Sequence, residues 1–144
     1  DKLNGEIHYQ KAGSREVLEL HGSVLRNYCS RCGRFYPVEA ITESRGVPHC
    51  ECGGKIKPDV VLYEEGLDQK ILSKAVRYIE KADILIIGGT SLVVYPAAGL
   101  IDYYRGGKLV LINKAPTGMD YKADLLVQGS IGEIMSQIQV HGGR

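Results

Sequence analysis

The stretch that decides the fold is Ile84-Leu85-Ile86-Ile87-Gly88-Gly89-Thr90-Ser91. Its four consecutive apolar residues indicate a strand of a parallel sheet that is covered on both faces. The run passes directly into glycine and hydroxyl residues, which let a backbone approach a phosphate or hydrogen-bond a ribose. A plain strand-to-helix turn also needs glycine, and the GxGxxG pattern is absent, so this stretch alone leaves both interpretations open.

Strand and helix patterns alternate around this stretch from residue 59 to residue 140. The predicted elements are, in chain order, strand 17–20, strand 60–63, helix 69–81, strand 84–87, helix 96–105, strand 108–113, strand 123–127 and helix 131–138. Asp68 is a candidate N-cap for the first of these helices. The alternation predicts an α/β fold with part of a doubly wound, Rossmann-like parallel sheet, and ligands of such sheets bind at the carboxyl ends of the strands.

Four cysteines occur in two close pairs, Cys29 with Cys32 and Cys50 with Cys52, separated by 17 residues. This spacing is typical of a zinc site in which two short turns supply four thiolates. Two disulfides are the alternative, but a bridge between the second pair would be strained, and nothing else indicates an oxidising compartment. Four sulfur ligands leave no open position, so the sequence predicts one structural zinc ion in a small inserted zinc-ribbon module.

The composition excludes some classes of function. The chain has 18 basic and 17 acidic residues among 144, and a formal net charge of +1 gives no argument for binding nucleic acid or an anionic membrane. The longest apolar run is too short to cross a bilayer, and we expect no signal peptide, because the opening residues lack the pattern of one. We therefore expect a cytoplasmic protein that binds neither nucleic acid nor membranes.

Taken together, several segments resemble the sirtuins, a family of NAD-dependent protein-lysine deacylases. The resemblance runs from about residue 12 to residue 138, and its motifs stand in the order of the family. Residues 11–14 and 19–23 resemble the segment around the catalytic histidine, and the cysteine pairs resemble the zinc module. Residues 57–63 resemble the substrate segment, 89–98 the cofactor loop and 111–113 the ribose-binding strand end.

The resemblance implies a role for each candidate residue. NAD would contact Gly89, Thr90, Ser91, Asn113, Lys114 and Ile131, and an acetylated-lysine peptide would contact Val60, Val61, Leu62 and Tyr63. In the implied reaction the acetyl-lysine oxygen displaces nicotinamide from the ribose, giving an alkylamidate. His21 then acts as general base on a ribose hydroxyl that attacks the amidate carbon, and water completes the formation of lysine and O-acetyl-ADP-ribose.

The same resemblance divides the chain into four segments. These are a catalytic-histidine segment at 1–25, a zinc-binding module at 26–57, a Rossmann-like NAD-binding half at 58–140 and a frayed tail at 141–144. The match is to the carboxyl-terminal part of the family, since its glycine-rich segment over NAD has no counterpart in the sequence. Either Asp1 is the last residue of the family's motif on the nicotinamide side, or that motif is absent from the sequence.

A chain without the first half of its sheet is expected to expose apolar strands and an unpaired edge. It would also lack groups that orient nicotinamide, so we expect this chain by itself to be inactive or nearly so. A separate N-terminal half or a second copy of the chain would be the partner that completes it. The loop after the substrate segment departs from the family as well, because Tyr63-Glu64-Glu65 stands where Phe-Gly-Glu is usual.

Two other functions compete with the enzyme. One is a non-catalytic fragment that binds ADP-ribose or a peptide. The other is a zinc ribbon that binds nucleic acid, because four arginines add positive charge to this segment: Arg26, Arg31, Arg34 and Arg45. Glutamates within the same segment offset that charge, and such a mixture is typical of a solvated face.

Overall fold

The computed structural model describes residues 13–62, 64–95 and 97–139. The predictions that concern Asp1, Lys11, Ala12, Tyr63, Pro96 and the tail 141–144 lie outside these residues. The chain divides into two compact units, Asp1–Leu72 and Ser73–Arg144. No helix in the described ranges combines the length and the apolar character needed to cross a membrane.

The first unit contains an antiparallel sheet that is built from three strands in the part described. Strand β1 (Gly22–Cys29) lies between β2 (Phe35–Pro37) and β3 (Ile56–Val60), and helix α1 (Glu39–Thr42) follows β2. The buried core of this unit consists of two cysteines and one isoleucine, with a tyrosine and a second isoleucine packed against it: Cys29, Cys50, Ile56, Tyr36 and Ile41. Two of the four predicted zinc ligands, Cys29 and Cys50, therefore also belong to the core of this unit.

The second unit contains the predicted parallel sheet. Among the described residues its strands are β4 (Leu85–Gly88), β5 (Leu109–Asn113) and β6 (Leu125–Gln128), in that order across the sheet. A 3-10 helix (Ala97–Tyr103) connects β4 to β5, a 3-10 turn (Asp120–Lys122) precedes β6, and α3 (Ile131–Ser136) follows it. The α/β fold with a partial parallel sheet and an inserted cysteine module is thus confirmed.

Helix α2 (Gln69–Lys81) spans the residues at which the two units divide and has the bounds that the sequence predicts. One carboxylate oxygen of Asp68 accepts hydrogen bonds from the N–H groups of Lys70 at 2.7 Å and Ile71 at 3.2 Å. These donors have no partner within a helix, so a side-chain cap stabilises its first turn. The predicted N-cap is confirmed.

Two predicted strands are wrong in position. Residues 17–20 form no strand, because the chain turns at this point: the N–H of Gly22 donates to the carbonyl of Glu19 at 3.1 Å, and β1 begins only at Gly22. The strand predicted at 60–63 lies earlier, since Ile56–Val60 pairs with β1. Pro58 within it is tolerated because β3 is an edge strand of the described sheet.

Two further predictions need correction in the second unit. The segment predicted as a helix from residue 96 is a 3-10 helix over Ala97–Tyr103. The described residues do not cover both faces of β4, because Ile86 is 46% exposed, whereas Leu111 and Ile112 of β5 are 2% exposed. Among the described strands of this sheet, only β5 has the two-sided burial that the apolar run predicts for β4.

Candidate functional site

The four cysteine sulfurs lie within 4.8 Å of one another. The Sγ atoms of Cys29 and Cys52 are 3.5 Å apart, and those of Cys32 and Cys50 are 3.6 Å apart. Tetrahedral zinc with zinc–sulfur distances of about 2.3 Å separates its sulfurs by about 3.8 Å, whereas a disulfide needs about 2.0 Å. All four cysteines are free thiols, so the cluster fits a four-sulfur zinc site and not the alternative of two disulfides.

Each cysteine pair is held by a tight turn that closes at a glycine. The N–H of Gly33 donates to the carbonyl of Cys29 at 2.9 Å, and the N–H of Gly53 donates to that of Cys50 at 2.8 Å. Both glycines have a positive φ, of 72° and 80°, which a side chain would strain. The turns aim two sulfurs each at a common point, as a tetrahedral site requires.

Hydrogen bonds to the sulfurs of Cys29 and Cys50 lower the pKa of these two cysteines and favour the thiolate form that a metal needs. The backbone N–H of Arg31 donates to the Sγ of Cys29 at 3.4 Å. A hydrogen bond from the Tyr36 hydroxyl lowers the pKa of Cys50 to about 6. Tyr36 is a residue that the sequence analysis missed, and no local pattern marks it, because only the pairing of β2 with β1 brings it to the cluster.

His21 lies in the turn that precedes β1, and its side chain is half-buried. Its main-chain carbonyl accepts a hydrogen bond from the N–H of Val61 at 3.1 Å, and Gly22 pairs in register with Val60. Gly22 has a φ of 76°, and a Cβ there would lie 1.9 Å from the carbonyl oxygen of Asp59. The structure therefore brings His21 together with Val60 and Val61 of the predicted peptide segment.

The peptide segment continues from β3 into a loop. Leu62 is 56% exposed, and its N–H donates to a carboxylate oxygen of Glu65 at 3.0 Å. This hydrogen bond, helped by the ammonium group of Lys57, lowers the pKa of the Glu65 carboxyl group. Tyr63, the fourth residue predicted for this segment, lies outside the described residues.

The predicted cofactor residues gather at one edge of the parallel sheet. Gly88 pairs in register with Ile112, so the turn after β4 and Asn113 at the end of β5 are neighbours. The side-chain amide of Asn113 donates to the carbonyl oxygens of Thr90 at 3.0 Å and Ala115 at 2.9 Å. Asn113 therefore fixes the turn at 89–91 to the end of the next strand.

Ile131, the first residue of α3, reaches the same edge. A Cβ added to Gly88 would lie 2.1 Å from the Cδ1 atom of Ile131, which shows that the isoleucine occupies the space a side chain would need. Gly89 lies beside it as well. Ser91 and Lys114 are exposed positions that flank this group. The structure thus brings Gly89, Thr90, Asn113 and Ile131 together, and the Gly89 N–H donates to the Ile112 carbonyl at 3.1 Å while the Thr90 hydroxyl oxygen accepts from the Leu92 N–H at 3.2 Å.

A family model described as the Sir2 family matches residues 5–96. The NAD-dependent protein deacetylase of Clostridium perfringens (strain 13 / Type A) is 61% identical over 132 residues, which are 90% of this chain and 54% of that protein. The protein of the same name from Staphylococcus aureus (strain N315) is 42% identical over 131 residues, with 90% and 54% covered. The chain spans about half the length of the curated relatives it matches.

Solved structures of the same family have the same fold as this chain. A structure of Sir2 with a p53 peptide and NAD+ matches with a TM-score of 0.82 at 41% identity, over 90% of this chain and 56% of that one. Sir2Tm bound to a propionylated peptide matches with a TM-score of 0.82 at 41% identity, over 90% and 57%. Since the family model spans more than half of the chain and its members share both sequence and fold with it, the chain belongs to the Sir2 family.

Proposed function

We propose that the polypeptide containing this chain removes acetyl groups from protein lysine in an NAD-dependent reaction, giving nicotinamide and O-acetyl-ADP-ribose. The observation that carries the proposal is the hydrogen bond between the His21 carbonyl and the Val61 N–H, which holds a histidine beside the end of β3. Relatives named NAD-dependent protein deacetylase, up to 61% identical to this chain, support the same reaction.

His21 is the proposed general base. When bound, NAD would supply the ribose carbon from which nicotinamide departs and the ribose hydroxyl that receives the acetyl group. His21 would take the proton from that hydroxyl, a task suited to the imidazole side chain. The hydrogen bonds from Gly22 to Glu19 and from Val61 to His21 fix the backbone around the histidine, so its Cα atom has a defined position beside Val61.

The proposed cofactor site is the sheet edge formed by Gly89, Thr90, Asn113 and Ile131, with Ser91 and Lys114 beside it. The turn at 89–91 would present backbone and hydroxyl groups to phosphate and ribose. Asn113 would hold that turn through its bond to Thr90, and Ile131 would lie against the adenine. The four-cysteine cluster would hold one zinc ion, which has a structural role because no ligand position stays open.

The proposed substrate is an acetylated-lysine peptide that adds as a strand beside Val60, Val61 and Leu62, with Tyr63 continuing the segment. Leu62 supports this assignment because it is 56% exposed and lies two residues after the end of β3. Main-chain hydrogen bonds would supply affinity with little sequence preference. The reaction combines acetyl transfer with hydrolysis of an amide, so the enzyme has the character of a transferase and of a hydrolase.

The segment assignment and the location of the protein also belong to this proposal. Residues 1–25 would carry the histidine, 26–57 the zinc and 58–140 the cofactor site. The proposed location is the cytoplasm, which is supported by four free thiols and by relatives from bacteria, since a reducing compartment preserves thiols.

The test of the proposal separates chemistry from binding. In the complete polypeptide, His21→Ala should abolish deacetylation of an acetyl-lysine peptide while calorimetry still detects binding of ADP-ribose and peptide. The matched control is His49→Ala, because His49 is an exposed histidine of the same unit whose ring contacts the carbonyl of Val47. Binding without turnover in the unaltered protein would favour the second candidate, a non-catalytic ADP-ribose- or peptide-binding protein.

A further inference from the structure

Arg26 joins two carboxylates that belong to different segments of the first unit. Its terminal guanidinium nitrogen pairs with Glu19, and its Nε atom donates to a carboxylate oxygen of Asp59 at 3.0 Å. Glu19 opens the turn that carries His21, and Asp59 is the strand residue directly before Val60. One side chain therefore connects the histidine turn to the strand that enters the peptide segment.

The ion pair between Glu19 and Arg26 matters because the Glu19 carboxylate is buried. The side chain of Glu19 is only 4% exposed, whereas those of Arg26 and Asp59 are 36% and 45% exposed. A buried carboxylate is costly unless a charged partner and hydrogen bonds compensate for the lost water. Glu19 therefore constrains where Arg26 can lie, and Arg26 in turn constrains Asp59.

The backbone ladder between β1 and β3 is irregular at the position where Arg26 makes this connection. Ser23 pairs with Asp59 and Asn27 pairs with Pro58, so the register shifts between Ser23 and Asn27. Proline also has no N–H to donate to the ladder. Main-chain hydrogen bonds are thus interrupted beside Arg26, and its two side-chain bonds cross the interruption.

The geometry points to Arg26 as a positioning residue that holds the His21 turn in register with the peptide-binding segment, an inference that rests on the proposed function. All three charged side chains line one cavity of about 300 Å³, which Val60 and Val61 also line. The planar guanidinium offers donors in a fixed fork, so it bonds both carboxylates at once. A lysine at this position keeps the positive charge but carries it on a single ammonium group, without the fork of donors.

The first arm of the test measures the connection itself, in the complete polypeptide, by amide hydrogen exchange. Arg26→Lys and Asp59→Ala should each speed exchange of the Gly22 and Val61 amides about ten-fold, since these N–H groups hold the histidine turn. The amides of Cys50 and Ile56 in the cysteine module should keep their rates. Unchanged rates at Gly22 and Val61, or equal acceleration at all four amides, would overturn the inference.

The second arm measures catalysis with the same variants. We expect kcat/KM for the acetylated peptide to fall roughly ten- to a hundred-fold in Arg26→Lys and Asp59→Ala, with bound zinc and the affinity for ADP-ribose unchanged. The control is Lys122→Gln, which removes the cation of another ion pair, with Asp102. Asp59→Ala leaves the Glu19–Arg26 pair intact, so it stays informative if an Arg26 variant fails to fold.

A double-mutant cycle shows whether the two residues act together. If Arg26 works through Asp59, adding Asp59→Ala to Arg26→Lys should lower kcat/KM by less than the product of the single effects. The positioning role would be overturned if the two single effects on kcat/KM multiply in the double variant. It would also be overturned if amide exchange becomes faster while kcat and the KM for the peptide stay normal. An unaltered protein that does not deacetylate would instead overturn the proposed function, and the inference with it.

Discussion

The main-chain carbonyl of His21 accepts a hydrogen bond from the N–H of Val61 at 3.1 Å. This bond couples two segments that the sequence separates by 40 residues, and it places the proposed base beside the proposed peptide strand. Because a main-chain bond fixes backbones and not side chains, the contact depends on the local shape of both segments. Substitutions that alter this shape should therefore affect stability and catalysis together.

Gly22 provides the sharpest test of that shape. Gly22→Ala must place a Cβ 1.9 Å from the carbonyl oxygen of Asp59, in addition to the strain of a φ of 76°. Gly46→Ala is the matched control, because Gly46 has a φ of 87° with nothing within 4 Å of its Cβ position. We expect Gly46→Ala to lower the free energy of unfolding by about 1 kcal/mol and Gly22→Ala by more than about 3 kcal/mol. Equal losses in urea unfolding would contradict the close approach.

Gly88 provides the corresponding test in the second unit. In Gly88→Ala the new Cβ overlaps the Cδ1 atom of Ile131 at 2.1 Å, so the isoleucine side chain must shift. If Ile131 lies against adenine, the dissociation constant for ADP-ribose should rise roughly ten-fold, a loss of about 1.4 kcal/mol. Gly107→Ala is the control, since nothing lies within 4 Å of its Cβ position. Calorimetric affinities that match for both variants would remove Ile131 from the proposed site.

Loss of the side-chain amide of Asn113 is expected to weaken ADP-ribose binding. Asn113→Asp replaces a donor that bonds Thr90 and Ala115 with a carboxylate facing the same two carbonyl oxygens. The repulsion should release the turn at 89–91 and weaken ADP-ribose binding at least about ten-fold, with kcat/KM for NAD falling in parallel. An Asn113→Asp protein with the affinity of the original would show that the turn does not depend on this residue.

Removal of the metal should unfold the first unit, because Cys29 and Cys50 belong to its small buried core. We expect a chelator, or Cys50→Ser, to abolish stoichiometric zinc binding and the exchange protection of the Ile56 amide. Adding zinc back to the chelated protein should restore both. A metal-free protein that keeps the Ile56 amide protected would argue against a structural zinc.

The Leu62–Glu65 hydrogen bond should depend on pH. The pKa of Glu65 is lowered by the Leu62 N–H and then by Lys57, so the folded carboxyl group has a lower pKa than the unfolded one. Its contribution to stability is present above the unfolded pKa of about 4.3 and is lost as the pH falls through the folded value. As the pH falls through that range, the exchange rate of the Leu62 amide, corrected for its intrinsic rate, should increase. In Glu65→Gln the corrected rate should be independent of pH.

Local patterns predicted the elements whose causes are local. Helix α2 has its cap at Asp68 and its apolar spacing in one continuous segment, and the cysteine spacing alone predicted the cluster at Cys29 and Cys50. Residues 17–20 have the composition of a strand, but the turn closed by Gly22 leaves them without a strand partner in the described part of the chain. Whether a segment forms a strand depends on a partner that the segment does not contain.

Long-range contacts account for the residues that sequence reasoning missed. Arg26 was assigned to a solvated face, yet it is half-buried against Glu19 and Asp59, which lie seven and 33 residues away. The apolar run at Ile84–Ile87 predicted two-sided burial, but burial depends on what covers a strand, and Ile86 is 46% exposed. Composition identifies an apolar strand without showing how much of it is covered.

The most direct test of the central claim is a product balance by mass spectrometry, using the complete polypeptide, an acetyl-lysine peptide and NAD. The proposed function predicts equimolar deacetylated peptide, nicotinamide and O-acetyl-ADP-ribose, with no product in the absence of NAD and with no deacetylated peptide or O-acetyl-ADP-ribose in His21→Ala. Deacetylated peptide that forms together with free acetate, at the same rate with and without NAD, would contradict it.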